Sequence, residues 1–355
     1  MRTAVMTRPR RFERPARARC LPHGAGRPVL RFLLWGLPLV GIALGLLSPW
    51  WYDSRPAEEP DPVAEAALQP APIQGDRAYA YLQQICALGP RPAGSEANTK
   101  QRKMVADHFA KLGGVVREQP FTAPHPLTGQ PVAMANLIGS WYPERTDRVL
   151  ICAHYDTRPH PDEEPTREGY NQPFLGANDG ASGVALLMEI AHHLKDLPIQ
   201  RGVDLVLLDG EELVYGRTGE YFLGSKAFAK AYAQGRRSGK VKYRYSAGIL
   251  LDMVGGRELT IEREPYSVKL APRLVEEVWR VAEQIGARSF RREYGREVLD
   301  DHLPLNDGGI PTIDLIDFDY PHWHLASDRP EQCSGASLAE VGRVVTAWLT
   351  LPRKK

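Results

Sequence analysis

The chain has 355 residues, 43% of them hydrophobic, and a formal net charge of +2. This leaves ample material for the core of one large or two medium globular domains. The charge is uneven: residues 1–31 hold nine arginines and one acid, so the remainder carries about −6. A basic tail on a slightly acidic body argues against nucleic acid as the main partner and points to membrane topology.

The first element in chain order explains that tail. Residues 32–52, "FLLWGLPLVGIALGLLSPWWY", carry no charge. As a helix they would reach roughly 30 Å, about the hydrocarbon thickness of a bilayer. Pro38 and the glycines are tolerable in such a helix. Trp50, Trp51 and Tyr52 suit the far interface, and the arginines of 1–31 should stay cytoplasmic. A cleaved signal peptide would have a shorter apolar core and a small-x-small cleavage site, which is not evident here. The expectation is a single-pass signal anchor, with the body on the non-cytoplasmic (periplasmic, extracellular or lumenal) side. Residues 53–74, rich in Pro, Ala and acid, read as a linker.

The catalytic body is expected over 75–352. Helical patterns cover Arg77–Leu88 and Glu96–Leu112, and Val115–Phe121 with Val132–Gly139 read as a hairpin-like pair of strands. "VLICAHYD" is a buried strand with polar residues at its C-terminal end. A long polar loop, 158–175, follows. Ser182–Leu194 is a helix, Val203–Leu208 a strand, Gly224–Gln234 a helix and "AGILLDMVGG" a strand. Pro272–Ile285 is a helix, "PTIDLID" a strand and Ser337–Leu351 a closing helix. The alternation predicts an α/β fold: a mixed, mostly parallel central sheet flanked by helices on both faces. Cys152 lies inside a strand and reads as a buried thiol. A Cys86–Cys333 bridge is left open, with no CxxC pattern to decide it.

In open α/β sheets, sites lie beyond the C-terminal ends of the strands. Those ends offer His154 and Asp156, then Asp179 in "GANDGASG", Glu211 and Glu212 in "LVLLDGEEL", Asp252, and Asp300, Asp301 and His302 in "VLDDH". His322 and His324 follow in "HWH". Each has an ordinary reading alone: a helix cap for Asp179, a solvated surface pair for the glutamates, a hydrogen-bonded residue for each histidine. All would have to fall on one edge by coincidence. A divalent cation explains them together, because carboxylates and imidazoles are ligands that zinc accepts. One glutamate of the pair can bind the ion while its neighbour moves a proton.

The motifs "ICAHYDTRP", "GANDGASGVALLMEIA", "LVLLDGEEL", "YFLGSKAFA", "LLDMVGG" and "VLDDHLPLNDGGIPTIDLI", followed by "WH", resemble the zinc aminopeptidase superfamily. Within it they are most similar to the glutaminyl-peptide cyclotransferase branch, over roughly residues 76–351. The resemblance implies Asp179, Glu212 and His324 as zinc ligands and Glu211 as general acid/base. It implies Asp252 and Asp300 as acids near the reacting centre, and Trp323 as an aromatic that shapes the substrate pocket. The expected activity is cyclisation of an N-terminal glutamine of a peptide or protein to pyroglutamate, with release of ammonia and one Zn2+ bound. The alternative is a di-zinc aminopeptidase, with His154, Asp179 and Asp252 holding a second ion. Asp300 and the Trp directly before the metal His favour the cyclase. "LVYGR" after the glutamate pair and Leu299 before "DDH" depart from that branch, which leaves strict selectivity for glutamine open. A non-enzymatic binding module is the third reading, and the full ligand set speaks against it.

The topology has a direct check. In sealed vesicles the body should be protected from protease added on the cytoplasmic side, and digestion from that side would contradict the anchor.

Overall fold

The computed structural model describes residues 68 and 70–352. The tail, the anchor and most of the linker therefore lie outside the described residues. Among those described, no helix is long and apolar enough to cross a membrane.

Helices α1 (Gly75–Cys86) and α2 (Glu96–Lys111) lead into strands β1 (Val115–Pro124), β2 (Pro131–Trp141) and β3 (Asp147–His154). The short α3 (Arg167–Tyr170) precedes α4 (Ala181–Ala191), β4 (Gly202–Leu208), the small hairpin β5 (Val214–Tyr215) and β6 (Thr218–Gly219), and α5 (Leu223–Arg237). The chain continues through β7 (Arg244–Asp252), β8 (Ile261–Arg263), α6 (Pro265–Leu270), α7 (Pro272–Gln284), β9 (Phe290–Tyr294), α8 (His302–Asp307), β10 (Thr312–Ile316) and α9 (Gly335–Leu349).

Six strands form one sheet in the order β1-β2-β4-β3-β7-β10. β1 pairs antiparallel with β2, and β2 antiparallel with β4. β4, β3, β7 and β10 run parallel. The sheet is thus mixed and mostly parallel, and four strands end on one common edge. Side chains alternate between its faces. Val149, Ile151, Leu205, Leu207, Ile249 and Leu251 belong to the core cluster that also takes in α1, α4, α7 and α9. Leu150, Cys152, Val206, Leu208 and Leu250 pack with Phe228 and Tyr232 of α5 and with Leu305 of α8. Helices therefore cover both faces, and the buried strands read as continuous apolar runs.

One charge inside those runs is neutralised locally. The Arg148 guanidinium donates to both carboxylate oxygens of Asp204, at 3.0 and 2.5 Å, and the Tyr245 hydroxyl also donates to Asp204. Cys86, Cys152 and Cys333 are buried free thiols. The structure adds several elements that the sequence pattern did not single out, namely α3, α6, α8 and the strand pairs β5–β6 and β8–β9. All are short, and short elements carry too few residues for a period to show.

The fit of α1 against α4 depends on Glu189, whose side chain is fully buried. It accepts from Arg77 at 2.6 and 2.8 Å, from the Gln74 N–H at 2.9 Å, and pairs with His193 at 3.0 Å. Burial opposes its charge, but His193, Arg77 and the Gln74 N–H outweigh burial and hold the carboxyl at about 2. Its stabilising contribution is complete above the ordinary carboxylate range and is lost as pH falls through that value. Glu189→Ala should destabilise the body by about 3 kcal/mol in urea denaturation at neutral pH. An unchanged midpoint would contradict this account of α1.

Candidate metal centre

The parallel strands deliver the predicted residues to one place. β3 ends on His154, β7 ends on Asp252, and the turn after β4 carries Glu211 and Glu212. Asp179 sits just ahead of α4. Gly180, with φ +96°, makes that turn, and a Cβ there would lie 2.9 Å from the Asp156 carbonyl oxygen. At Gly183 a Cβ would lie 2.3 Å from the Leu251 carbonyl oxygen, so glycine lets α4 rest directly on β7. Asp179 does not cap this helix: the capping position is Gly180, and no side chain caps α4.

His324 Nε2 lies 3.1 Å from Glu212 Oε1 and 3.6 Å from Asp179 Oδ2. All three residues are buried. His154 closes the group on the other side, with Nε2 3.2 Å from both Asp179 Oδ1 and Asp252 Oδ1. Ligand atoms of His154, Asp179 and Glu212 lie within 4.8 Å of one another. Asp179 Oδ2 and Glu212 Oε2 are buried and have no hydrogen-bond partner. Two unpaired carboxylate oxygens beside an imidazole, away from water, are an unstable arrangement unless a cation completes it. The donor set therefore fits zinc. His324 itself has φ +55°, a left-handed backbone that a residue with a Cβ adopts at a cost.

The carboxyls around this point are strongly perturbed. Burial first, then the charge of Glu212 beside it, pushes Glu211 well above the usual carboxylate range. Burial, with Asp252 and Asp301 nearby, does the same to Asp300. Asp300 accepts from the Asp301 N–H, and its Oδ2 is buried without a partner. The Trp323 ring stacks on His324, 3.9 Å between centroids and 26° between planes, and packs against Phe318. His154, Asp179, Glu211, Glu212, Asp252, Asp300, Trp323 and His324 thus gather on one edge.

The other histidines and Asp301 have partners of their own, and His302 also gathers with Asp300 and Asp314, ligand atoms of the three lying within 4.8 Å of one another. His302 is fully buried between Glu264 and Asp314, at 3.3 and 3.8 Å. His322 bonds Ser327 at 2.9 Å, and Asp301 accepts from Ser225. His192 meets Tyr81 and His193 meets Glu189, on the α1 side of α4.

Four supporting residues went unassigned in the sequence reading. Asp156 accepts from the N–H groups of Glu211 and Glu212, both at 3.0 Å. Asp328 accepts from those of Asn178 and Asp179, at 2.9 and 3.1 Å. Each carboxylate grips a ligand-bearing turn through two adjacent amides. Arg158 and Asp162, in the long polar loop, reach Glu212 and His324 respectively, at 3.1 and 3.0 Å. The only signal for the first was its place two residues past His154. The loop pair lies in the polar loop noted at 158–175, but its contacts with the ligands, and those of Asp328, are visible only in three dimensions.

Residues 136–349 match the family model of peptidase family M28. The chain belongs to peptidase family M28. Among solved structures, it is similar to a glutaminyl cyclase from Fimbriiglobus ruber, at 42% identity and TM-score 0.78, covering 80% of this chain and 97% of that one. A leucine aminopeptidase precursor from Bacteroides thetaiotaomicron is 31% identical with TM-score 0.72, covering 81% of this chain and all of the other. A glutaminyl-peptide cyclotransferase-like protein of Mus musculus is 25% identical over 287 residues, covering 73% of this chain and 71% of the mouse chain.

Metal binding at this M28 centre has a pH signature. Burial lowers the His324 imidazole, but Asp162 and Glu212 outweigh it and raise it to about 9 in the metal-free protein. An incoming cation must displace that proton, so affinity should rise with pH by about tenfold per unit below that value. Zinc titrations across the neutral range check this, and a flat profile would contradict it.

Proposed function

We propose that the chain is a membrane-tethered, zinc-dependent glutaminyl-peptide cyclotransferase. It converts the N-terminal glutamine of peptides or proteins to pyroglutamate and releases ammonia. The observation that carries this reading is the convergence of Asp179, Glu212 and His324, with two orphaned carboxylate oxygens, beside a Glu211 that burial keeps ready to hold a proton. The similarity to chains named glutaminyl cyclase supports the choice of reaction.

Asp179, Glu212 and His324 would hold the ion, which when bound supplies a positive charge to polarise the substrate's γ-carbonyl. Glu211 takes a proton from the substrate's own α-amine as that nitrogen attacks the carbonyl carbon of the side-chain amide. The same carboxyl returns the proton to the departing side-chain nitrogen, so one C–N bond forms, one breaks and ammonia leaves. Asp300, buried and with Oδ2 unpartnered, can hydrogen-bond the leaving nitrogen. Asp252 orients the group from the end of β7. Trp323 offers a flat face beside His324 on which the folded-back glutamine can lie. The nucleophile is already part of the substrate, so holding the cyclic conformer accounts for much of the acceleration.

A di-zinc aminopeptidase is the second reading, favoured by the assembly of His154, Asp179 and Asp252 at 3.2 Å. Within these two ligand sets, however, the orphaned carboxylate oxygens belong to Asp179 and Glu212 and not to Asp252, which supports a single ion. An anchor at 32–52, as the apolar run there suggests, would put the reaction on the non-cytoplasmic side, where peptide N-termini of exported proteins are met.

The test is a peptide beginning with glutamine. The expected outcome is ammonia and a product lighter by that ammonia; release of free amino acid would decide for the peptidase. Glu211→Gln should keep its zinc and lose turnover on the order of a hundredfold or more. Undiminished turnover would remove Glu211 from the role.

A further inference from the structure

We propose that Arg158 and Asp162 form a two-residue hub that presents two ligands, Glu212 and His324, to the metal in the correct orientation. This deepens the zinc reading above and rests on it. The two residues lie in the loop between β3 and α4, and neither would touch substrate by this account. They are positioning residues.

The geometry is specific. Arg158 Nε and Nη2 donate to the two oxygens of Asp162 at 2.7 and 2.8 Å, a forked pair. The remaining nitrogen, Nη1, donates to Glu212 Oε1 at 3.1 Å. This holds the Glu212 carboxylate through Oε1, the oxygen 3.1 Å from His324 Nε2, and leaves Oε2 buried and unpartnered. Asp162 Oδ1 lies 3.0 Å from His324 Nδ1. An Nδ1–H donated there fixes the tautomer and leaves the lone pair on Nε2, the atom that faces Asp179 and Glu212. Arg158 Nη2 also donates to the Tyr221 hydroxyl at 2.9 Å, so the same guanidinium braces an exposed aromatic. The Arg158 side chain is only 5% exposed, so water does not screen these contacts.

The rival explanation is that the loop is merely tied down. It has other ties to the same segment: the Glu163 N–H donates to the His324 carbonyl at 3.3 Å, and Glu164 Oε1 accepts from the Ala326 N–H at 2.9 Å. These hold the backbone but reach no ligand side chain. They supply the control.

The experiment is zinc affinity, measured by competition with a chelator and without substrate, on the full chain. Arg158→Met and Asp162→Ala should each weaken zinc by about 10–100-fold. Arg158→Lys should lose nearly as much, because an ammonium keeps the charge but cannot make the fork and the third bond together. Asp162→Asn, whose amide oxygen can still accept from Nδ1–H, should recover part of the loss. Glu164→Ala should stay within about twofold of the unsubstituted chain. Melting of the metal-free proteins separates damage to the fold from damage to the site. Unchanged zinc affinity in Arg158→Lys and Asp162→Ala would overturn the proposal. So would an equal loss in Glu164→Ala. If the unsubstituted chain binds no zinc, the parent reading fails at that arm, before any variant is compared.

Discussion

Two adjacent glutamates at the end of a buried strand repel each other, and this edge of the sheet is organised around that repulsion. Glu212 faces Asp179 and Glu211 faces Asp300, with His154 and His324 as the nearby imidazoles. Without an ion, His324 and Arg158 hold Glu212 charged while Glu211 is pushed toward its protonated form. A cation settles the repulsion while leaving Glu212 and Asp179 charged and Glu211 free to exchange a proton. The chemistry follows from that division of labour between neighbours in the chain.

The scaffold makes the arrangement affordable by satisfying the backbone first. Asp156 and Asp328 each accept two consecutive amide N–H groups, one from the glutamate turn and one from the Asp179 turn. Asp328 also receives the Tyr320 hydroxyl, so it links the segment carrying His324 to the loop carrying Asp179. Ligands from distant parts of the sequence are thereby fixed by main-chain contacts before any ion arrives. Preorganisation of this kind limits what the ion must spend on ordering the site.

Much of the fold was legible because its long elements have clear periods. β3 and β4 carry the apolar runs Val149–Ala153 and Leu205–Leu208, and α7 and α9 show an apolar face, so strands, helices and the shared edge could be read directly. The site residues Asp179, Glu211, Glu212, Asp252 and His324 were legible for a related reason: in a parallel sheet, whatever follows each strand must meet at one end. What stayed hidden depends on contacts and not on pattern. Asp162 in an acid-rich loop has the same local sequence whether it faces solvent or His324. Asp328 lies in a segment with no regular structure around it. His302, beside Asp301 in sequence, turns toward Glu264 and Asp314 and meets the site only through Asp300, an arrangement no local pattern reveals.

The central claim is that residues remote in sequence share one divalent ion. Anomalous diffraction at the zinc edge, from crystals of the zinc-loaded body, tests it most directly. The account predicts a single peak within bonding distance of Asp179, Glu212 and His324. No peak there, or a second of equal height between His154 and Asp252, would contradict it.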